Sequence, residues 1–125
     1  MSLIIEPREK YLLITFCNET ISQSDLNQLE KFISSARKES YIVLDFYKIK
    51  IADKEMLVST EQLLQQIIKE DGLIVFANND EKINSDLAAT FNDPDLLILP
   101  TVDEAVDYIF MDEIENEIGG EGWRY

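Results

Sequence analysis

The 125-residue chain contains no histidine. That absence removes Ser/His triads, Cys/His pairs and every histidine-bearing metal site of a metallohydrolase. Cys17 is the only cysteine, so no internal disulfide can form. It ends an apolar run and reads as an inert core thiol rather than a nucleophile. No apolar stretch approaches the ~20 residues of a membrane span. The opening, Met1-Ser2-Leu3-Ile4-Ile5-Glu6, lacks the basic flank and small-residue cleavage site of a signal peptide, so the expected address is the cytoplasm. Gly-x-Gly-x-x-Gly and Gly-x-x-x-x-Gly-Lys loops are both missing. No lysine follows Asp95, which defeats a Pro-Asp…Glu-x-Lys nuclease reading. Asp93-Pro94-Asp95 also lacks the Asp-x-Asp-x-Asp-Gly spacing of a calcium loop. The expectation is a protein with no cofactor, no metal and no catalytic set: not an enzyme.

Basic residues are scarce as well. Eleven Lys and Arg face 25 Asp and Glu, for a net charge of −14. After Lys82 the only basic residue is Arg124, so residues 83–125 carry −10 and residues 1–82 only −4. Phosphate-backbone affinity needs clustered Lys and Arg, which excludes direct nucleic-acid binding from the expected functions. A single-sign field of this kind either steers a basic protein partner inward or serves solubility alone.

What is present is ordinary globular material. Hydrophobic residues make up 46% and charged residues 29%, away from the composition of disordered chains, and the length suits one domain. Leu3 to Glu6 and Tyr11 to Cys17 are β-rich runs separated by four turn residues, a hairpin spacing that predicts an antiparallel pair at one side of a sheet. Ser22 to Asp25 has the shape of a capping box with Asp in place of Glu. Behind it Leu26, Leu29, Phe32, Ile33 and Ala36 fall on one helical stripe.

Tyr41 to Phe46 is apolar except for Asp45, as in an interior strand. Asp53 to Lys69 repeats Leu57, Thr60, Leu64, Ile67 and Ile68 at helical spacing, with Asp71-Gly72 as the stop and Leu73 to Ala77 as the next strand. Asn79-Asp80 offers N-cap oxygens to a weaker helix with Ile83, Leu87 and Ala88 inward. Asp93-Pro94-Asp95 is a turn before a last strand, Leu96 to Leu99. Thr101 and Glu104 form a capping box for a final helix whose buried side is expected to hold Val102, Ala105, Val106, Ile109, Phe110 and Ile114. The order is ββαβαβαβα. Alternation through most of the chain predicts an α/β domain with a mixed, mostly parallel central sheet and packed helices. A receiver-like domain also fits alternation, but the paired acids it needs after the first parallel strand are missing. Residues 1–118 are read as one domain and 119–125 as a flexible tail.

One stretch is more specific. Residues 44 to 57 read Leu-Asp-Phe-Tyr-Lys-Ile-Lys-Ile-Ala-Asp-Lys-Glu-Met-Leu. Leu44, Asp45, Phe46, Ile49, Asp53 and Leu57 fall in register on Leu-Asp-Leu-Ser, a spaced Val, and Asp-Ser-Ser-Gly-Leu. The stretch resembles the signature of STAS domains, the family of bacterial anti-sigma factor antagonists and sulfate-transporter tails, and the element order agrees over roughly residues 3–116. Within that resemblance the Ser-Ser-Gly triplet, whose first serine accepts phosphate in regulatory members, is Lys54-Glu55-Met56. An ammonium cannot take that phosphate. Glu55 could imitate a phosphoserine at the positive end of the helix dipole, but it sits one residue late beside Lys54. Met56 is either an adaptable contact or a core residue.

The resemblance implies a STAS-like fold and a non-enzymatic protein–protein interaction module that cannot be phosphorylated at the usual place. Its partner-binding surface would be Lys50, Ile51, Ala52, Asp53, Lys54, Glu55 and Met56. The implied partner is a basic protein or one like an anti-sigma kinase, with neither nucleic acid nor membrane. The last helix crowds Asp103, Glu104, Asp107, Asp112, Glu113, Glu115 and Glu117 around Tyr108 and Met111. Leu-Pro-Thr-x-x-Glu-Ala followed by Ile-Phe-Met-Asp-Glu-Ile-Glu is similar to the end of small stand-alone bacterial STAS proteins, some of which are labelled ribonuclease Z. The alternative it implies is an accessory protein beside a tRNA-processing nuclease.

Overall fold

Arg8 N–H donates to the Tyr11 carbonyl at 2.8 Å, closing the turn between strands β1 (Leu3–Pro7) and β2 (Leu12–Phe16). The two pair antiparallel from Leu3 opposite Phe16 to Pro7 opposite Leu12, the hairpin its spacing predicts. A computed structural model describes residues 3–91 and 96–118. It continues with α1 (Gln23–Ile33), β3 (Glu39–Asp45), α2 (Lys54–Leu64), β4 (Ile68–Ala77), α3 (Glu81–Phe91), β5 (Leu97–Leu99) and α4 (Val102–Ile118). This is the expected ββαβαβαβα order. The turn at Asp93-Pro94-Asp95, the tail 119–125 and the side chain of Glu117 lie outside the described residues. No described helix is long and apolar enough to cross a membrane.

The sheet runs β1-β2-β3-β4-β5. Every pair after the hairpin is parallel, because each later strand is reached through a helix. Register then lines up rows of side chains across the sheet. Leu13, Val43, Val75 and Leu97 form one row, on the face where Ala105 and Ile109 of α4 are fully buried. Ile14, Leu44, Phe76 and Ile98 form the row behind it, packed with Leu26 and Leu29 of α1, Leu57 and Leu64 of α2, and Ile83 and Leu87 of α3. Three helices therefore cover one face and α4 the other. β3, the middle strand, is buried on both sides from Tyr41 to Leu44, which is why its sequence is a continuous apolar run rather than an alternation.

The caps form largely as the sequence predicts. Ser22 and Asp25 exchange bonds, Asp25 N to Ser22 Oγ at 3.2 Å and Ser22 N to Asp25 Oδ2 at 2.9 Å. Asp80 Oδ1 accepts from Lys82 N at 2.9 Å and Ile83 N at 3.2 Å, starting α3. Thr101 Oγ1 accepts from Glu104 N at 3.2 Å, and its hydroxyl lies 3.3 Å from Glu104 Oε1.

Two expectations are corrected. The helix expected to run to Lys69 stops at Leu64, and β4 begins at Ile68 rather than Leu73. The last helical N–H groups tighten to i−3 acceptors (Gln66 to Leu63 at 3.1 Å, Ile67 to Leu64 at 3.0 Å), and the Ile67 carbonyl then accepts from Glu39 N at 2.6 Å. That bond draws the chain onto β3. Ile67 and Ile68 are buried, but β-branched residues serve a strand as well as a helix, so periodicity alone could not separate the two. Asp71-Gly72 is no helix stop. Pairing jumps from Glu39–Ile68 to Tyr41–Leu73, so four residues of β4 bulge opposite Ser40.

The second correction concerns inward faces. Phe110 and Ile114 of α4 are 42% and 44% exposed, and Ala88 of α3 is exposed. With a single helix on its face of the sheet, α4 buries only a narrow stripe.

Gly72 has no room for a side chain: a Cβ there would lie 2.7 Å from Ile68 Cγ1 and 2.9 Å from the Ser40 carbonyl oxygen. The backbone oxygen cannot rotate away. Gly72→Ala is expected to destabilise the chain by about 1–3 kcal/mol, as overpacking does, and urea unfolding should show the midpoint fall. An unchanged midpoint would mean that the bulge opens freely.

Candidate functional site at the carboxyl edge of the sheet

The stretch singled out by sequence lies where β3 ends and α2 begins, at the carboxyl edge of the parallel strands. Phe46 and Ile49 are fully buried and act as two pegs. Phe46 meets Phe16 edge-on with ring centroids 5.0 Å apart, and Phe76 at 5.3 Å. Such pairs add ~0.5–1.5 kcal/mol each beyond the area they bury. Between the pegs Tyr47 N donates to Asp45 Oδ1 at 3.0 Å and Ile49 N to the Phe46 carbonyl at 2.9 Å, a tight turn. Beyond them the Glu19 carbonyl accepts from both Lys50 N (2.8 Å) and Ile51 N (3.2 Å). The β2–α1 connection thus clamps the β3–α2 loop from the side.

What this clamp holds outward is Tyr47, 67% exposed, and Ile51, 61% exposed. Lys48, Lys50, Asp53, Lys54 and Glu55 are exposed around them. Ala52 and Met56, also expected in the contact surface, are half-buried and pack against the core. The seven residues expected at the site form one continuous rim, with five of them outward and these two bracing it. Tyr47 was missed. Its signal is the alternation along β3: Leu44 and Phe46 point inward, so Asp45 and Tyr47 must point the other way. Lys48, Lys50 and Lys54 gather three of the chain's eleven basic residues within this loop, a local concentration in an otherwise acidic protein.

An open hollow of about 380 Å³ adjoins the rim, lined by Cys17, Asn18, Glu19, Tyr47, Lys48 and Lys50. Cys17 is half-buried, with Sγ 3.8 Å from the Thr15 carbonyl, so it borders this hollow instead of lying sealed in the core as expected. Among the described residues no group of acidic or thiol side chains is placed to hold a metal ion.

Asp53 occupies the N-cap of α2. Its Oδ1 accepts from Glu55 N at 2.8 Å and its carbonyl from Leu57 N at 3.0 Å. Lys54 follows as an exposed first-turn residue. Asp53→Ala should therefore cost ~0.5–2 kcal/mol of stability, and Lys54→Ala should stay within about 0.5 kcal/mol of wild type. Urea melts giving the opposite order would move the start of α2 elsewhere.

No family model and no curated protein matches the sequence. Similarity appears in three dimensions. An anti-sigma factor antagonist from Mycobacterium paratuberculosis superposes with a TM-score of 0.67 at 16% identity, over 86% of this chain and 92% of that one. The Bacillus cell fate determinant SpoIIAA in its phosphorylated form gives 0.59 at 14% identity, covering 86% of this chain and 98% of its own, and SpoIIAA unphosphorylated, described as an anti-sigma factor antagonist, gives 0.58 at 15% identity. SLC26A9 matches with 0.53 at 14% identity, over 92% of this chain but only 22% of that one. With the hairpin, the parallel crossovers and the element order, these matches establish that the chain has the STAS fold of the anti-sigma factor antagonists.

Proposed function

We propose that the protein is a non-enzymatic protein–protein interaction module, acting in the cytoplasm, whose contact surface is the rim of Tyr47, Lys50, Ile51, Asp53, Lys54 and Glu55, braced by Ala52 and Met56. The observation that carries this reading is the exposure of Tyr47 and Ile51 on a loop whose backbone is fixed at both ends. A preorganised loop loses little further entropy when a partner docks on it. Aromatic and apolar residues at the centre with charges at the rim is the arrangement of interface hot spots. The solved proteins that share the fold are anti-sigma factor antagonists, and an anti-sigma factor of the kinase type is the partner class that this likeness supports for the rim.

The partner relation proposed here is not phosphate-switched at the familiar place. SpoIIAA has been solved with and without phosphate, whereas this chain carries Lys54 at the position where the signature has its acceptor serine. The next hydroxyls along the chain are Ser59 and Thr60. Thr60 is 1% exposed and donates to the Met56 carbonyl at 2.8 Å, so a kinase has no access to it. Ser59 is half-buried.

Two experiments test the reading. Tyr47→Ala combined with Ile51→Ala should leave the unfolding free energy from urea melts within about 0.5 kcal/mol of wild type, since both residues are exposed, and should abolish capture of the protein's partner from its native cells. Unchanged capture would sink the assignment of the rim, and a tRNA-processing nuclease as the protein lost would favour the accessory reading. Incubation with a kinase that phosphorylates anti-sigma factor antagonists, followed by site mapping, should place no phosphate between Asp53 and Met56. Stoichiometric phosphate on Ser59 would show a relocated switch.

A further inference from the structure

We infer that the outward face of α4 is a second docking surface, separate from the rim, and that it receives an amphipathic helix with basic flanks from another protein. Among the described residues α4 carries four of the seven large apolar side chains left exposed: Tyr108 and Phe110 at 42%, Ile114 at 44% and Met111 at 61%. At 100° per residue, Asp107, Phe110, Met111 and Ile114 follow i, i+3, i+4 and i+7. They form one seam directed away from the stripe of Ala105 and Ile109 that enters the sheet. The seam spans two helical turns, about 10 Å, enough to seat two turns of a crossing helix.

Charge selects the occupant. No basic residue occurs between Val102 and Ile118; Asp107 in the seam is exposed, as are Asp103, Glu104 and Glu115 bordering it. Acids in the last turns of a helix oppose its dipole, so the sequence keeps an arrangement that weakens α4 in isolation. A cation arriving from outside relieves the charge while its apolar stripe covers Phe110, Met111 and Ile114. A second copy of the chain would instead set two acidic helices face to face, each on a molecule of net charge −14. Anionic lipid and nucleic acid are repelled for the same reason.

The surface is also preorganised. Tyr41 Oη donates to Asp112 Oδ2 at 2.8 Å and Lys10 Nζ pairs with Glu113 at 3.3 Å, tying the carboxyl half of α4 to β3 and to the β1–β2 turn. The carboxyl half of α4 is held by Tyr41, near the start of β3, whereas the rim follows the end of that strand, so the two surfaces lie toward opposite edges of the sheet.

The test uses the full chain and a fluorescent peptide of about 18 residues, five helical turns, patterned with leucine on one face and lysine on the flanks. A matching leucine–glutamate peptide is the control. The lysine peptide should bind saturably, shift backbone amide resonances of residues 106–115, and weaken at least about tenfold when Phe110→Ser and Ile114→Ser are combined, as for truncated central contacts. Asp107→Asn with Glu115→Gln should flatten the salt dependence while both apolar residues remain. The proposal is overturned if the Phe110/Ile114 variant, folded by its thermal midpoint, binds the lysine peptide unchanged, which would mean charge attraction alone. It is equally overturned by absent or non-saturable binding, by shifts centred on residues 47–56, or by sedimentation showing that the wild type dimerises through this seam.

Discussion

The candidate site depends on one buried ring. Phe46 is the first residue after β3, and its edge-on contacts with Phe16 and Phe76 fix where the strand stops and the loop starts. Ile49, three residues later, is the second buried point. Two apolar anchors three residues apart force the residues between and after them outward, so the chemistry of the rim follows from its core. Polar substitution at Phe46 would release the whole edge at once, because the loop makes few other long-range bonds besides those to the Glu19 carbonyl. On the proposed reading packing here also serves binding, since a loop free to reorder would lose in entropy what Tyr47 and Ile51 gain in contact.

The same economy explains the asymmetry of the two faces. The rows Ile14–Leu44–Phe76 and Leu13–Val43–Val75 are both apolar, so both faces of the sheet require cover. Three crossover helices supply it on one side because right-handed crossovers place successive helices of a sheet run in one direction on the same face. The strand order β2-β3-β4-β5 never reverses, so α1, α2 and α3 must share a side, and α4 is left to close the other. A single helix cannot span five strands. Ile4, 42% exposed on the edge strand β1, alternates with the inward Leu3 and Ile5 and therefore points to that thinly covered face.

Much of this was legible in the chain. The element order, the hairpin and the N-caps at Ser22, Asp80 and Thr101 all rest on local signals of residue type and spacing, and local signals survive folding. What failed was decided at long range. The true end of α2 turns on one bond from Glu39 to the Ile67 carbonyl, between residues 28 apart, and on the space denied to a side chain at Gly72. The exposure of Phe110 and Ile114 turns on how many helices share a sheet face. An apolar residue at helical spacing predicts that some surface wants covering, and cannot say whether this chain or another covers it. The rim divides in the same way: the STAS-like pattern points to its stretch of chain, and the turn at Asp45–Ile49 leaves Tyr47 as its most exposed large apolar side chain.

On the proposed match to the STAS signature, Lys54 stands in place of a hydroxyl, among neighbours that already carry charge. A phosphate at the first turn of a helix is favoured by the dipole and by free N–H groups, and would add about −1.5 to −2 charges there. In this chain the same turn already holds a capping carboxylate in Asp53, bonded to Glu55 N, and a second carboxylate in Glu55. Lys54 stands between these two acids and, with Lys48 and Lys50, keeps the rim from becoming as acidic as the rest of the molecule. The rim holds a nearly balanced charge beside two exposed apolar residues, on a body of net −14. On the proposed reading its selectivity would come from shape and apolar contact at Tyr47 and Ile51, with charge acting mainly on how fast partners arrive.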